Sequence, residues 1–421
     1  MNDAWQKKKL VDLLEIQNGF AFDSKAFSSS GNIPLIRIRD LKAGSHPETK
    51  YTGEYDQRYL VKAGDLLVGM DGEFGCYEWK GDSALLNQRV CRLQNFQANL
   101  VSRFLFYGIN SHLKDIEDVT GYTTVKHISS KQILGIEFFI PSFAEQQRIV
   151  TILDEAFEAI ATARANAEKN LQNARALFDS YLHSIFSRDD KGWRKTTLGN
   201  EVDLLVGFAF KSTKYTEAAD GISLLRGDNI IQGSLRWDDV KRWSSQDVDH
   251  FSRYQLKAGD IVLAMDRPWV KAGLKHASIQ EDDLPCLLVQ RTACLRNGSA
   301  LDNRFLMHLI GSGDFTLHIL GVQTGIGVPH ISGQQIKDFP FLMPSIDQQR
   351  LIAIQLDELK EKIHQLEFIY QQKIAALDEL KKSLLHQAFS GELTQTFKTA
   401  VAIPFSLVKN DMEKMEQYAN H

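Results

Sequence analysis

Two kinds of hydrophobic pattern alternate along the chain. From residue 1 to about 141, and again over 193–344, short apolar runs such as IPLIRI, DLLVGM and DIVLAM sit between Gly, Asn and Asp turn signals, with occasional stretches of helical period such as SRFLFYGINSHLKDI. These stretches predict mixed α+β globules. Over 142–187 and 345–390 Pro and Gly vanish, and apolar residues recur at three- and four-residue steps. That spacing predicts two long helices, each with a narrow seam suited to coiled-coil packing. In the second helix the seam is Leu359, Ile363, Leu366, Tyr370, Ile374, Leu377, Leu380 and Leu384. In the first it is Ile149, Leu153, Ala156, Ile160, Ala163, Ala167, Leu171, Ala174, Leu177 and Tyr181, its alanines allowing a close backbone approach.

Each helix opens on a capping box, Ser142 with Glu145 and Ser345 with Gln348, preceded by Pro141 and Pro344, which stop any earlier helix. A rod of roughly 40 residues spans about 60 Å at 1.5 Å per residue. Its apolar stripe needs a partner, and the order globule, helix, globule, helix makes the other helix that partner, lying antiparallel.

The alternation is a duplication. Trp5, Leu10 and GFAF at 19–22 lie 188 residues before Trp193, Leu198 and GFAF at 207–210. RYLVKAGDLLVGMDG at 58–72 then matches RYQLKAGDIVLAMDR at 253–267, NQRV at 87–90 matches VQRT at 289–292, and KHIS at 126–129 matches PHIS at 329–332. PSFAEQQRIVTILDE at 141–155 matches PSIDQQRLIAIQLDE at 344–358, and SYLHSIFS at 180–187 matches SLLHQAFSGEL at 383–393. A collinear series of this length is no coincidence.

Composition alters little. With 421 residues, 43% hydrophobic and 24% charged, the chain reads as two or three ordinary globular domains. No run approaches 18 apolar residues, and MNDAWQKKKL lacks the apolar core of a signal peptide, so no membrane partner and a cytoplasmic location are expected. Cys76, Cys91, Cys286 and Cys294 have neither C-x-x-C spacing nor a histidine at ligand distance, which predicts reduced, mostly buried thiols and no metal site. The net charge of −4 weighs against a nucleic-acid partner but does not decide, since it says nothing of distribution: KKK at 7–9, RIR at 37–39 and KR at 241–242 cluster locally among interleaved acidic residues.

No active site assembles. No two prolines are adjacent, so the Asn/Asp-Pro-Pro-aromatic signature of a DNA methyltransferase is missing, and no phosphate loop is present. GIGV at 325–328 opens no βαβ unit. The DELK segments at 357–360 and 378–381 read as solvated helix faces. His127 and His330 occupy matched positions without an accompanying nucleophile, which favours a structural or phosphate-contacting role. No catalytic residue, metal or cofactor is expected.

The two globule-plus-helix repeats, the PSxxEQQR and PSIDQQR helix starts, PHIS and the closing SLLHQAFSGELT together resemble the DNA-specificity subunit of type I restriction–modification systems, a phage-defence family. The resemblance implies two target-recognition domains, each reading half of an asymmetric, split sequence in double-stranded DNA. It implies helices that separate the readers and dock two methyltransferase subunits, onto which restriction or translocase subunits assemble. It also implies a chain that is not itself catalytic. The expected layout is target-recognition domain 1 over 1–141, long helix and linker over 142–192, target-recognition domain 2 over 193–344, a second long helix over 345–395, and a tail over 396–421 without assigned role. With near-neutral globules, DNA affinity is expected to be weak without the partner subunits.

For base and phosphate contacts the candidates are polar loop residues: Lys25, Arg37, Arg39, Asp71, Gln88, Arg89, Thr123, Thr124, Lys126 and His127 in the first globule. Their rough counterparts are Lys211, Lys214, Arg226, Asn229, Asp266, Arg267, Gln290, Arg291, Thr324 and His330 in the second. Arg and Lys suit guanine edges and phosphates, Gln and Asn adenine. The recurring Gln–Arg pairs are equally read as loop-fixing. Residues that differ between copies, Glu73 and Phe74 against Pro268 and Trp269, are the expected base selectors. GFAF is expected to be a Gly turn with Phe20 and Phe22 packing inward, the polar ends DSK and KST facing DNA. Three rivals stay open: a coiled-coil scaffold whose globules bind proteins, the specificity subunit of another methyltransferase-based defence system, and an enzyme with an unrecognised site.

Overall fold

A computed structural model of the chain describes residues 5–121, 126–187, 192–325 and 327–394. It forms two compact units, the first made by residues up to 165 with those from 374 onward, the second by 166–373. The dividing lines fall inside the long helices, because each globule's core runs on into them.

In the first unit an antiparallel sheet is ordered Glu15–Asn18, Val90–Gln94, Leu66–Gly69, Gly75–Glu78. Leu66–Gly69, the run LLVG, is buried throughout, as a strand covered on both faces must be. A second sheet pairs Ile33–Ile36 with Ala84–Leu86 in parallel. Gln6–Lys9 pairs antiparallel with Glu137–Ile140, whose Phe138 and Ile140 point inward. The lysines of this edge stay outside, and Lys7 bridges to Glu137 at 2.6 Å.

The second unit repeats the plan. Its antiparallel sheet is ordered Val202–Val206, Thr292–Asn297, Ile261–Ala264, His276–Ser278; Ile222–Leu225 pairs in parallel with Cys286–Leu288; and Arg194–Thr197 pairs with Pro340–Met343. The duplication expected from sequence is therefore a duplication of topology. The copies differ in detail: the parallel pair sits in a five-stranded sheet in the first unit and a three-stranded one in the second, and a helix is broken in one copy. The helix Ser102–Val119 is continuous, while its counterpart breaks into Asn303–Ile310 and Gly313–Val322, bent by 56° at Gly311 and Ser312. Among the described residues no single helix is long and apolar enough to cross a membrane; this bent pair meets the criteria of length and composition, and its Phe305, Leu306, Ile310, Phe315 and Ile319 form the core of the unit.

The long helices run Phe143–Phe186 and Ile346–Ser390. Within each unit they are antiparallel. In the first unit Glu145 meets Thr394 and Arg164 meets Asp378; in the second, Arg175 pairs with Glu367 at 2.5 Å while Leu182 and Ile185 pack on Leu356. Most expected seam residues lie inward, but Leu177, Leu366 and Leu380 are exposed. Phe178, one residue on, takes the inward place of Leu177. The capping boxes also differ. Gln348 reaches back to the Ser345 N–H at 3.2 Å as expected, whereas Glu145 turns away to accept the Thr394 hydroxyl.

The glutamine of the repeated helix start locks globule to helix. Gln146, fully buried, accepts the Val101 N–H at 2.8 Å and donates to the carbonyls of Asn99 and Pro141 at 2.9 and 3.0 Å. Gln349, equally buried, accepts the Asp302 N–H at 2.7 Å and donates to Ala300 and Pro344. Two turns on, Asp154 takes the Arg103 guanidinium at 2.7 Å and the Tyr107 hydroxyl, while Asp357 takes Arg304 and, at 2.7 Å, His308. Burial, and then Asp154, push the Tyr107 hydroxyl up to about 12. Asp357 and Asp378 thus correct the reading of the DELK segments as merely solvated: each holds an arginine.

Candidate nucleic-acid interface

In each globule three sequence-distant residues meet where the central strand ends. Met70, just past Leu66–Gly69, donates its N–H to the Arg89 carbonyl and accepts the Ile128 N–H, both at 2.9 Å. Met265 does the same with Arg291 and Ile331, again at 2.9 Å. The residue after each methionine is an aspartate. Asp71 Oδ1 lies 2.5 Å from His127 Nδ1, and Asp71 Oδ2 lies 3.4 Å from Arg89 Nε. Asp266 Oδ1 lies 2.7 Å from His330 Nδ1, and Asp266 Oδ2 lies 3.8 Å from Arg291 Nε. Arg291 Nη1 also comes within 3.4 Å of the His330 ring. Both arginines adopt positive φ, +75° at Arg89 and +67° at Arg291.

The GFAF segment borders this cluster. Gln88 donates its N–H to the Phe20 carbonyl and Gln290 to that of Phe208, each at 2.8 Å. A Cβ on Gly19 would sit 2.0 Å from the Asn87 carbonyl oxygen, and one on Gly207 2.1 Å from that of Val289. The glycine therefore permits two backbones to cross, which corrects its reading as a turn. Phe22 and Phe210 are buried, but Phe20 is 46% and Phe208 37% exposed, so only the second aromatic packs inward. Phe20 stacks at the surface on Tyr59, and Phe208 on Phe251 and Tyr254.

The other candidates are dispersed. Lys25 and Lys214 are exposed on short 3-10 turns, and Lys211 caps the second of these. Arg37 is exposed before the short helix Ile38–Leu41, and Arg39 donates to the Thr49 hydroxyl at 3.0 Å. Lys126 donates to the Glu117 carbonyl at 2.6 Å. Arg226 holds Asp239 at 3.2 Å. Asn229 is 3% exposed, and its amide spans Arg226 N–H and the Arg236 carbonyl, so it fixes its own loop. Arg267, at φ +45°, is exposed, its N–H held by the Pro329 carbonyl at 2.7 Å. Thr324 pairs with His330 through both backbone groups. Thr123 and Thr124 lie outside the described residues.

Of the residues differing between copies, Glu73 is exposed and bound to Lys42 at 2.6 Å, but Phe74 is 5% exposed in the core and cannot select bases. Pro268 is buried too, while Trp269, at 42% exposure, starts a hairpin of Trp269–Val270 with Gly273–Leu274. All four cysteines are buried and unpaired, and burial pushes Cys91 and Cys286 up to about 12, so none offers a thiolate. Among the described residues no His, Cys, Asp and Glu group is placed to hold a metal. The arrangement offers hydrogen-bond donors at a surface.

Residues 2–171 match the family described as the type I restriction modification DNA specificity domain. Over nearly the whole chain the sequence is also 24% identical to the EcoBI specificity subunit of Escherichia coli, covering 94% of this chain and 88% of that protein. Residues 2–171 thus carry a type I restriction modification DNA specificity domain. A further relative, the EcoAI specificity subunit of Escherichia coli, is 38% identical over 181 residues, 42% of this chain and 30% of that one. Among solved structures, one from work on complex assembly and conformational transition of the type I R-M system superposes with a TM-score of 0.71 at 17% identity, over 93% of this chain and 99% of the other. The HsdS subunit from Thermoanaerobacter tengcongensis gives 0.57 at 16% identity, over 93% and 98%. These two likenesses establish the specificity-subunit fold for this chain.

Proposed function

We propose that this chain is the DNA-recognition subunit of a type I restriction–modification complex. In this reading the globules over 1–141 and 193–344 are target-recognition domains, each reading one half of an asymmetric, split sequence in duplex DNA. The helices over 142–192 and 345–395 set the unread spacer and dock two methyltransferase subunits, and restriction or translocase subunits join that assembly. The chain itself performs no chemistry. The observation that carries the proposal is the doubled architecture, one fold twice with the same Asp, His and Arg at the same surface and different side chains around them.

A mismatched base pair costs roughly 1–3 kcal/mol, so one small domain reading a few pairs discriminates poorly in a genome. Two readers joined by a stiff connection raise each other's effective concentration at the right separation. The test is to express the chain with the methyltransferase subunit encoded beside it and sequence the DNA for methylated adenines. The expected result is one split motif. Exchanging residues 193–344 for those of another family member should then change one half of the motif and leave the other. A methylome without a split motif overturns the proposal.

A further inference from the structure

The doubled cluster carries an inference that rests on that reading and divides the labour within it. We propose that Arg89 and Arg291 each hold a phosphate of the DNA backbone, one per half-site. Asp71 and Asp266, braced by His127 and His330, are the positioning residues that aim them.

Backbone conformation is the first ground. At φ +75° and +67° a side chain with a Cβ is strained, and glycine would fit without strain. The first globule does use glycine at a positive φ nearby: Gly72 stands at φ +77°. At the Gln–Arg turn both globules instead keep arginine in the strained conformation. The fold does not need that guanidinium, whose side chain is 57% exposed in one copy and 59% in the other.

The second ground is aim. Asp71 and Asp266 approach the Nε edge of their arginines, at 3.4 and 3.8 Å; Arg291 Nη1 also lies 3.4 Å from the His330 ring, and both arginine side chains are more than half exposed. The other carboxylate oxygen is engaged by histidine Nδ1 at 2.5 and 2.7 Å, which holds the carboxylate plane. A planar guanidinium steadied on its Nε edge at the surface suits an oxyanion.

The third ground is the recurrence itself. Two domains that read different half-sites cannot be told apart by a group they share, so the shared group meets what is the same in every sequence. That is the phosphodiester. Sequence reading falls to what differs around it, Trp269 and Arg267 in one globule against Glu73 and Gly72 in the other.

The experiment uses the complex of this chain with its methyltransferase subunits. Affinity is measured across a salt series for the methylome-defined duplex and a scrambled one. Wild-type complex that prefers neither duplex would overturn the functional reading, and the inference with it. With that preference present, Arg89→Gln and Arg291→Gln should each flatten the plot of log affinity against log salt by about 0.9, weaken both duplexes by the same factor, and leave the methylated motif unchanged. Asp71→Asn should weaken binding in the wild-type background and add nothing beside Arg89→Gln. Arg89→Gly should bind DNA as poorly as Arg89→Gln while melting no lower than wild type. An unchanged salt slope overturns the proposal, as does a loss confined to duplexes altered at one base pair, which would make the arginine a base reader. A glycine variant that melts lower overturns the strain argument.

Discussion

At the scale of single residues, the recurring letters serve the fold and its shared surface, and each does so for a separate physical reason. Gly19 and Gly207 recur because a backbone carbonyl lies 2.0 and 2.1 Å from where a Cβ would be. Gly19→Ala should therefore lower stability by about 1–3 kcal/mol through forced separation of the two strands, read as a drop in denaturation midpoint with unchanged slope. Gln146 and Gln349 recur because each satisfies three backbone groups that would otherwise be buried unpaired, a debt of about 1–3 kcal/mol for each group left without a partner. Sequence marked both residues as repeats but gave no reason for them. The partners, Val101 and Asn99 or Asp302 and Ala300, are backbone atoms roughly 45 positions away, and backbone atoms leave no trace in residue letters. The Asp–His–Arg cluster was legible only as separate candidates. Asp71, Arg89 and His127 lie on three segments that meet only through the hydrogen bonds of the central strand.

At the scale of elements, period and turn signals located the long helices and the helix Ser102–Val119 well, because each is long and strongly patterned. They placed the seam less well. Leu177 and Phe178 are adjacent and both apolar, and only packing on Leu182 and Leu356 decides for the phenylalanine. The break at Gly311 and Ser312 was missed because the flanking residues remain apolar on both sides. That bent helix pair carries a pH response. Burial pushes His308 down despite its Asp357 partner, and pushes His276, packed beside Gly311, down to about 4. Each therefore binds a proton less readily in the folded chain than in the unfolded one, which takes up protons below about 6.5. Stability is thus complete above that value and falls as pH drops from about 6.5 towards 4. The melting temperature should decline between pH 6.5 and 5, and His276→Asn should flatten the decline. A midpoint level across that interval would contradict the assignment.

At the scale of the whole molecule, duplication was the most legible feature, since matched words in one order need no structural knowledge to detect. The sharing of each helix between two units was not legible, because it depends on which core each turn enters. If the helices set the unread spacer, four residues inserted in equal register into both should lengthen each by about 6 Å, close to two base pairs at 3.4 Å. Methylome sequencing of such a variant should return the same two half-sites with a longer gap, and an unaltered gap would remove the helices from that role.

The first globule's core includes Ala388 and Leu393, with Phe389 against Phe104 and Phe138. These residues leave the ribosome more than two hundred positions after Leu153, the last buried contribution from the first helix. At synthesis rates of about 5–20 residues per second, the first globule waits on the order of ten seconds or more with that aromatic face uncovered. The first globule is thus completed by residues made more than two hundred positions after the rest of its core, and a product ended before Ala388 would be defective in that globule.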